Sequence, residues 1–490
     1  MVNSNLAHKL DNENAIDVET NDIPLKWCSV SLSDVISRGK RLEASVFDVE
    51  AKQARQIIKN SKFPSTTIGG ENGLTTSYTC ARFKRIWLEH SDFPIYQPST
   101  IVDIKPKPDG YISHLTKTNI ENLRVKKGQI LMTCSGTIGN VSYVSDTLKN
   151  KIFSHDLLRI NCKNAVDQGY VYAYLRSKVG NKILLTNSYG AVITHIEPEH
   201  LATIPIPDAP KEIKERIHNL IVESFKLRDE SNELIDQATA LLIDELKLPP
   251  ISEFKQNNIK NSANVNAFSV KLSDLNGRAD ASYHLPIVDA IIKHLEQYSS
   301  EVTTIGDNRI SSDVVLPGRF KRVYVNSEYG VKFIGGKEMK QLDPSSEKYI
   351  SKKAHAKQLE GALGIKEYSI LTPARGSLGE VVMPCKHFYN WAISDNMMQI
   401  LSNSKICGYL YIFLNSEYGK ILIQRFTYGG VIDAIEPWHI QQTQIPLLKN
   451  QIIQNKINDL ALQANEKRYK AYLLEQEALK IMDEEVIYAK

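Results

Sequence analysis

The sequence repeats itself once at an offset close to 240 residues, and this limits the architecture more than any local signal. LSDVISRGKRLEAS (32–45) returns as LSDLNGRADAS (272–282), and RFKR (82–85) returns unchanged at 319–322. YIS (111–113) recurs at 349–351, and ILMTCSGTIGNVSYV from 130 is matched by ILTPARGSLGEVVMP from 370. GYVYAYLRSKVGNKIL from 169 is matched by GYLYIFLNSEYGKILI from 408. YGAVITHIEPEHLATIPIP from 189 is matched by YGGVIDAIEPWHIQQTQIP from 428. The order is the same in both copies, which chance similarity would not preserve. A period this long is that of a domain, not of a solenoid, so the chain carries two domain-sized copies.

Each copy runs into a heptad pattern. After the first, Ile213, Ile217, Leu220, Leu227, Leu234, Ala238 and Leu241 fall in steps of four and three, with Ser224 and Ser231 in the gaps. Asp208 and Pro210 suit the start of that helix, and Pro249-Pro250 stops it. After the second, Ile453, Ile457, Leu460, Ala464, Ala471, Leu474, Ala478 and Ile481 repeat the pattern, with Lys467 as its polar exception. The sequence therefore divides into a mobile tail (1–24), a globular module (25–208), a helical region (209–247), an exposed connector (248–267), a second module (268–447) and a second helical region (448–490). Within the modules, β-prone runs such as QILMT and SILTP alternate with helical stretches such as VFDVEAKQARQIIKN and VYAYLRSKVGNKILL. The modules are read as mixed α/β (α+β).

This layout resembles the specificity subunit of type I restriction–modification systems. The resemblance rests on the paired SGTIG (135–139) and RGSLG (375–379) loops and on the GAVITHIEPEHLATIPIP and GGVIDAIEPWHIQQTQIP segments that lead into the helices. It covers the chain from about residue 25 onward. Where family members often enter the helix through a PPL-x-E-Q type sequence, this chain has PDAPKEIKERI and LLKNQIIQNKI, which leaves the partner subfamily open. The resemblance implies two target-recognition domains, one per part of a split DNA target. Their helices would pair as an antiparallel coiled coil. It also implies docking to two adenine methyltransferase subunits, and in a restriction complex to motor–nuclease subunits. S-adenosylmethionine, Mg2+ and ATP would belong to those partners, with no cofactor, metal or catalytic residue in this chain.

Catalytic signatures are absent where an enzyme would need them. An adenine methyltransferase needs Asn/Asp-Pro-Pro-aromatic, but Pro249-Pro250 is flanked by Leu248 and Ile251. No Gly-x-x-x-x-Gly-Lys-Ser/Thr loop occurs. Pro207-Asp208 is followed too closely by Glu212-Ile213-Lys214 to form a nuclease site on separate strands. An enzyme with unusual motifs and a scaffold that reads no DNA are the alternatives. The net charge of +4 is compatible with nucleic acid but does not require it. Six scattered cysteines without a Cys-x-x-Cys pair speak against a zinc ribbon and suit a reducing, cytoplasmic setting. No apolar run is long enough to expect a membrane span.

The candidate DNA contacts are the duplicated basic loops: Arg82, Lys84 and Arg85, and Arg319, Lys321 and Arg322. Arginine can pair bidentately with guanine, and either cation neutralises phosphate. The competing reading is the solvated face of a strand, with Phe83 and Phe320 inward. In the glycine loops, Ser135, Thr137, Arg375 and Ser377 are candidates, against a purely structural turn. Basic neighbourhoods recur in Lys117, Arg124, Lys126 and Lys127, and in Lys348, Lys352, Lys353 and Lys357. His155, His200 and His439 lack ligand spacing and read as ordinary structural or surface residues.

A helix of about 36 residues is a rod of roughly 55 Å. If two such rods set the spacing of the split target, inserting one heptad near Ser231 and one near Ala471 adds about 10 Å, or about three base pairs. Methylation-site mapping should then show a longer unread gap between unchanged read sequences. A constant gap with retained activity contradicts the spacer.

Overall fold

Most elements of the first repeat recur in the second. The computed structural model describes residues 29–37, 40, 44–190, 194–258, 268–275, 277–345 and 348–489. The expected tail (1–24) and the end of the connector (259–267) lie outside them. The chain divides into two compact units, Met1–Asp229 with Ala471–Lys490, and Glu230–Lys470.

In unit 1 the helix Val49–Lys59 starts where the Asp48 carboxylate accepts the Ala51 N–H at 3.0 Å. An antiparallel sheet runs in the order Thr75–Tyr78, Leu157–Cys162, Ile130–Thr133, Val141–Tyr143. A second sheet runs Trp87–Leu88, Gly110–Ile112, Pro94–Tyr96, Ile152–Phe153, its last pair parallel. Ser65–Thr67 pairs with Pro205–Pro207, the strand before the first long helix. The stretch read as one helix breaks at Ser177, whose hydroxyl caps the second piece, giving Ala165–Arg176 and Lys178–Thr186.

Unit 2 repeats this. Asp313–Val315, Met397–Leu401 and Ser369–Pro373 form one sheet. Tyr349–Ser351, Gly330–Ile334 and Ala392–Ile393 form the other, again with a parallel last pair. Glu301–Thr304 pairs with Gln444–Leu447. The connector expected to be exposed over 248–267 is a helix at Ile251–Asn258, and Phe254 is buried in the unit 2 core. One aromatic residue supplies the burial that periodicity did not reveal.

Tyrosines lock the helix layer to the strand that feeds each long helix. Tyr170 and Tyr174 are fully buried and donate to the Pro207 and Pro205 carbonyls, while Tyr409 donates to that of Pro446. A buried hydroxyl needs such a partner, so this helix cannot drift from its strand without exposing or orphaning it. The long helices pass close by. A Cβ on Gly169 would lie 2.5 Å from His218 Cα, and one on Gly408 would lie 2.3 Å from the Asn458 carbonyl oxygen.

The long helices are Lys211–Glu245 and Gln451–Ile481. Inside unit 1 their segments run antiparallel. Arg216 pairs with Glu485 at 2.8 Å, Ser224 Oγ donates to the Ala471 carbonyl at 2.7 Å, and Arg228 pairs with Glu475. Inside unit 2 the same direction holds. Lys467 meets Glu230 at 2.6 Å, and Arg468 donates to Ser231 Oγ at 3.2 Å and Asn232 Oδ1 at 3.4 Å.

The buried seam is not quite the apolar one. Ile217, Ile457 and Ile481 are buried, as are the small residues Ser224, Ser231, Ala238, Ala464, Ala471 and Ala478. Ile213, Leu220, Leu227, Leu234, Leu241, Ile453, Leu460 and Leu474 are only half-buried. Next to them, Ile221, Ile235, Leu242, Ala461, Arg468, Glu475 and Met482 are the buried ones. One line of each heptad is where the apolar pattern puts it. The other sits one residue further on, and on the second helix it includes Arg468 and Glu475, which polar partners satisfy there.

Glu475 is 1% exposed and is held by Arg228, by Arg176 at 3.4 Å and by the Tyr172 hydroxyl at 2.6 Å. Glu475→Ala leaves two guanidinium groups uncompensated and should cost about 3–5 kcal/mol. Glu485→Ala breaks an exposed pair and should cost under about 1 kcal/mol. Urea unfolding measures both, and equal costs would contradict the buried network.

Candidate nucleic-acid interface

The basic loop of unit 1 leaves the strand Thr75–Tyr78 and returns at Trp87–Leu88, so RFKR lies between strands rather than on one. Phe83 is its anchor. It packs against the cluster of Ile95, Ile112, Leu123 and Ile152, and its ring meets the His155 imidazole edge-on at 5.8 Å. With Phe83 inward, Arg82 and Lys84 stand exposed on either side. Arg85 is half-buried, lies 5.7 Å from the Trp87 ring centroid and leaves its Nε without a partner. In unit 2, Phe320 packs on Phe333, Ile350, Leu363 and Ala392 and meets His355 at 5.0 Å, leaving Arg319 and Lys321 exposed. Arg322 differs from Arg85, being paired with Asp395. The strand-face reading fails because no ladder forms here, but the inward phenylalanine and outward cations it assumed are present.

The glycine loops behave as turns. Gly136, Gly139, Gly376 and Gly379 all have φ between +71° and +86°, the left-handed region that glycine enters without strain. The Gly136 N–H donates to the Thr194 carbonyl and the Gly376 N–H to that of Asp433, so neither amide is open to a phosphate. Ser135 bridges to His195, and Arg375 bridges to Ala434 at the same place in unit 2. Thr137 and Ser377 are exposed at the turn tips, and Ser135 is half-buried. Arg375 is occupied: it pairs with Glu436 at 2.8 Å and donates to the Ala374 and Ile435 carbonyls. Its guanidinium braces the loop from within.

In unit 1 the two loops meet. Arg82, Phe83, Lys84, Ser135, His155, Asp156 and His195 line one open cleft of ≈ 790 Å³. In unit 2 a cleft of ≈ 510 Å³ brings Ser377 together with Lys340, Lys420, Glu380 and Asp433, and RFKR does not line it. Lys117, Lys126, Lys352 and Lys353 are exposed but line neither cleft. Lys127 is paired with Asp146 at 2.8 Å.

His155, which the sequence marks only as an ordinary structural or surface residue, lines the unit 1 cleft. Burial holds it below the usual imidazole range; Arg85, Arg82 and Arg159 push the same way, and Asp156 opposes them. His195 also lines this cleft. The available signal was divergence within the repeat, where His155 and His195 stand against Asp395 and Ala434. His200 and His439 do serve structure, closing capping boxes with Glu197 and Glu436. Among the described residues no group of His, Cys, Asp or Glu is arranged to hold a metal, and no helix is long and apolar enough to cross a membrane.

Residues 24–237 match the family model of the type I restriction modification DNA specificity domain. Two solved structures are among those to which the chain is similar. One is the S subunit of a type I restriction-modification system from M. genitalium, with 14% identity, 86% of this chain and 96% of that chain covered, and a TM-score of 0.33. The other is the HsdS subunit from Thermoanaerobacter tengcongensis, with 12% identity, 86% and 100% covered, and a TM-score of 0.25. At these scores the structural likeness carries no argument about function. No curated protein matches the chain.

The pairing pattern separates the arginines. Arg82→Ala and Arg319→Ala remove exposed cations, and each should lower the slope of log affinity against log salt by about one if it contacts phosphate. A bidentate base contact would instead cost about 1–3 kcal/mol and relax one target position. Arg322→Ala removes a charge that Asp395 already neutralises and should leave the slope unchanged. Salt titrations of duplex binding check all three, and equal slopes throughout would remove RFKR from the interface.

Proposed function

The chain resembles the specificity subunit of type I restriction–modification systems, its first half matching that DNA specificity domain, and from this we propose that it selects DNA sequence for a methyltransferase complex. The observation that carries the proposal is the duplication. The element order, the capped helices and the anchored basic loop of the matched half recur in the other half. One specificity domain reads one stretch of DNA, so two in tandem suit a bipartite target with one part per unit. The two parts need not be alike, because side chains at equivalent loop positions differ, as Ser135 and Arg375 do.

Under this reading the chain is non-catalytic. The adenine methyltransferase, bound in two copies, supplies methyl transfer with S-adenosylmethionine. Motor–nuclease subunits, where present, supply the Mg2+- and ATP-dependent steps. Duplex DNA is held by the outward cations, with Arg82, Lys84, Arg319 and Lys321 the most available. The setting is cytoplasmic.

Exchanging residues 25–208 for the equivalent module of a relative tests this directly. Methylation mapping should show one half of the target replaced and the other kept. A swap that alters both halves or neither contradicts independent reading by the two units.

A further inference from the structure

The two repeats keep the basic loop but differ in the groups that surround it. In unit 1, Arg82 and Lys84 have no ion-pair partner among the described residues. The cleft they line also holds the His155 and His195 imidazoles and one carboxylate, Asp156, whose Oδ2 stands 3.3 Å from His155 Nε2. The buried Nδ1 of His155 has no hydrogen-bond partner. In unit 2 the same positions close on themselves, and His355, which stands against Phe320 with its own Nδ1 unpartnered, accepts the Val323 N–H on Nε2. Asp395 replaces His155 and takes Arg322, Ala434 replaces His195, and Arg375 replaces Ser135 and is taken by Glu436.

We propose that the unit 1 cleft seats a backbone phosphate of the DNA against Arg82, Lys84 and a protonated His155, and that unit 2 has no such seat. This rests on the reading of the chain as a DNA-binding subunit and adds a chemical asymmetry between its two units. A phosphate fits because it accepts from several donors at once and rewards convergent positive charge. Asp156 offsets one of the cations and leaves a positive surplus in the cleft. The groups facing His155 are Asp156, Arg82, Arg85, Arg159 and the Phe83 ring. Burial first, and then the three guanidinium groups, hold its imidazole below the ordinary range in the free protein, against the pull of Asp156. An arriving phosphate reverses that balance and draws a proton onto the ring. Binding therefore takes up a proton, and affinity rises as pH falls through the imidazole range.

The test is equilibrium binding of the full chain to a mixed-sequence duplex from pH 5.5 to 8 at constant ionic strength. Wild-type affinity should rise tenfold for each unit by which the phosphate lifts the His155 pKa. H155Q should lose that rise. R82A, at an exposed position where the fold is not at stake, should bind more weakly at every pH with a salt slope smaller by about one. Inorganic phosphate should not displace the duplex; strong competition by it would assign the cleft to a free anion and overturn the seat. A wild-type affinity flat in pH, or an H155Q profile like that of the wild type, sinks the seat while duplex binding persists. No duplex binding by the wild type sinks the parent reading as well.

Discussion

The fold of unit 1 depends on one buried carboxylate. Glu475 comes from the last part of the chain, yet it is enclosed by Tyr172 and Arg176 of the first repeat and by Arg228 of the first long helix. A leucine at this heptad position would bury as well and cost less desolvation. The charge adds register: sliding the segment by one heptad would strand Glu475 away from both arginines in a dry interior. Arg468 in unit 2 works by a weaker version of the same rule, finding Ser231 and Asn232. Small residues on the adjoining line, Ser224 and Ala471 in unit 1 and Ser231, Ala238 and Ala464 in unit 2, leave room for these polar contacts.

With the helix segments fixed, each module hangs on its own scaffold and varies at its loops. The exchange of Arg159 for Gln399 shows how far the chemistry can change while the structural role stays. Arg159 is fully buried and donates to the Leu157, Leu123 and Phe153 carbonyls, while Gln399 donates to those of Ala362 and Gly364. Both tether loop backbone to the central strand. The outward loops use the same freedom differently. Arg85 and Ser135 stand in unit 1 where Arg322 and Arg375 form ion pairs in unit 2. A rigid support permits loop side chains to change without loss of the fold.

Much of this was legible in the sequence. The repeat, the long helix from residue 211, the helix after Asp48 and the strands at ILMT and SILTP all follow from periodicity and capping chemistry. The seam was half legible. Apolarity favours Leu220, Leu227 and Leu474, and only the three-dimensional partners explain why Glu475 and Arg468 are buried instead. The basic loop was legible as residues but not as geometry, since nothing local says that Phe83 will find His155. Arg375 is a candidate DNA contact in the sequence because it stands in the glycine loop; that Glu436, 61 residues away, pairs with it is not legible there. Long-range pairing of charges leaves no trace in a local window.

The central claim is that two units of one chain read two separate stretches of DNA. The most direct measurement is selection from a random-sequence duplex pool by the chain assembled with the proposed methyltransferase, followed by sequencing of the retained DNA. The account predicts two short enriched blocks of different sequence separated by a gap of constant length and no preference. A single continuous block, or no enrichment over the starting pool, would contradict it.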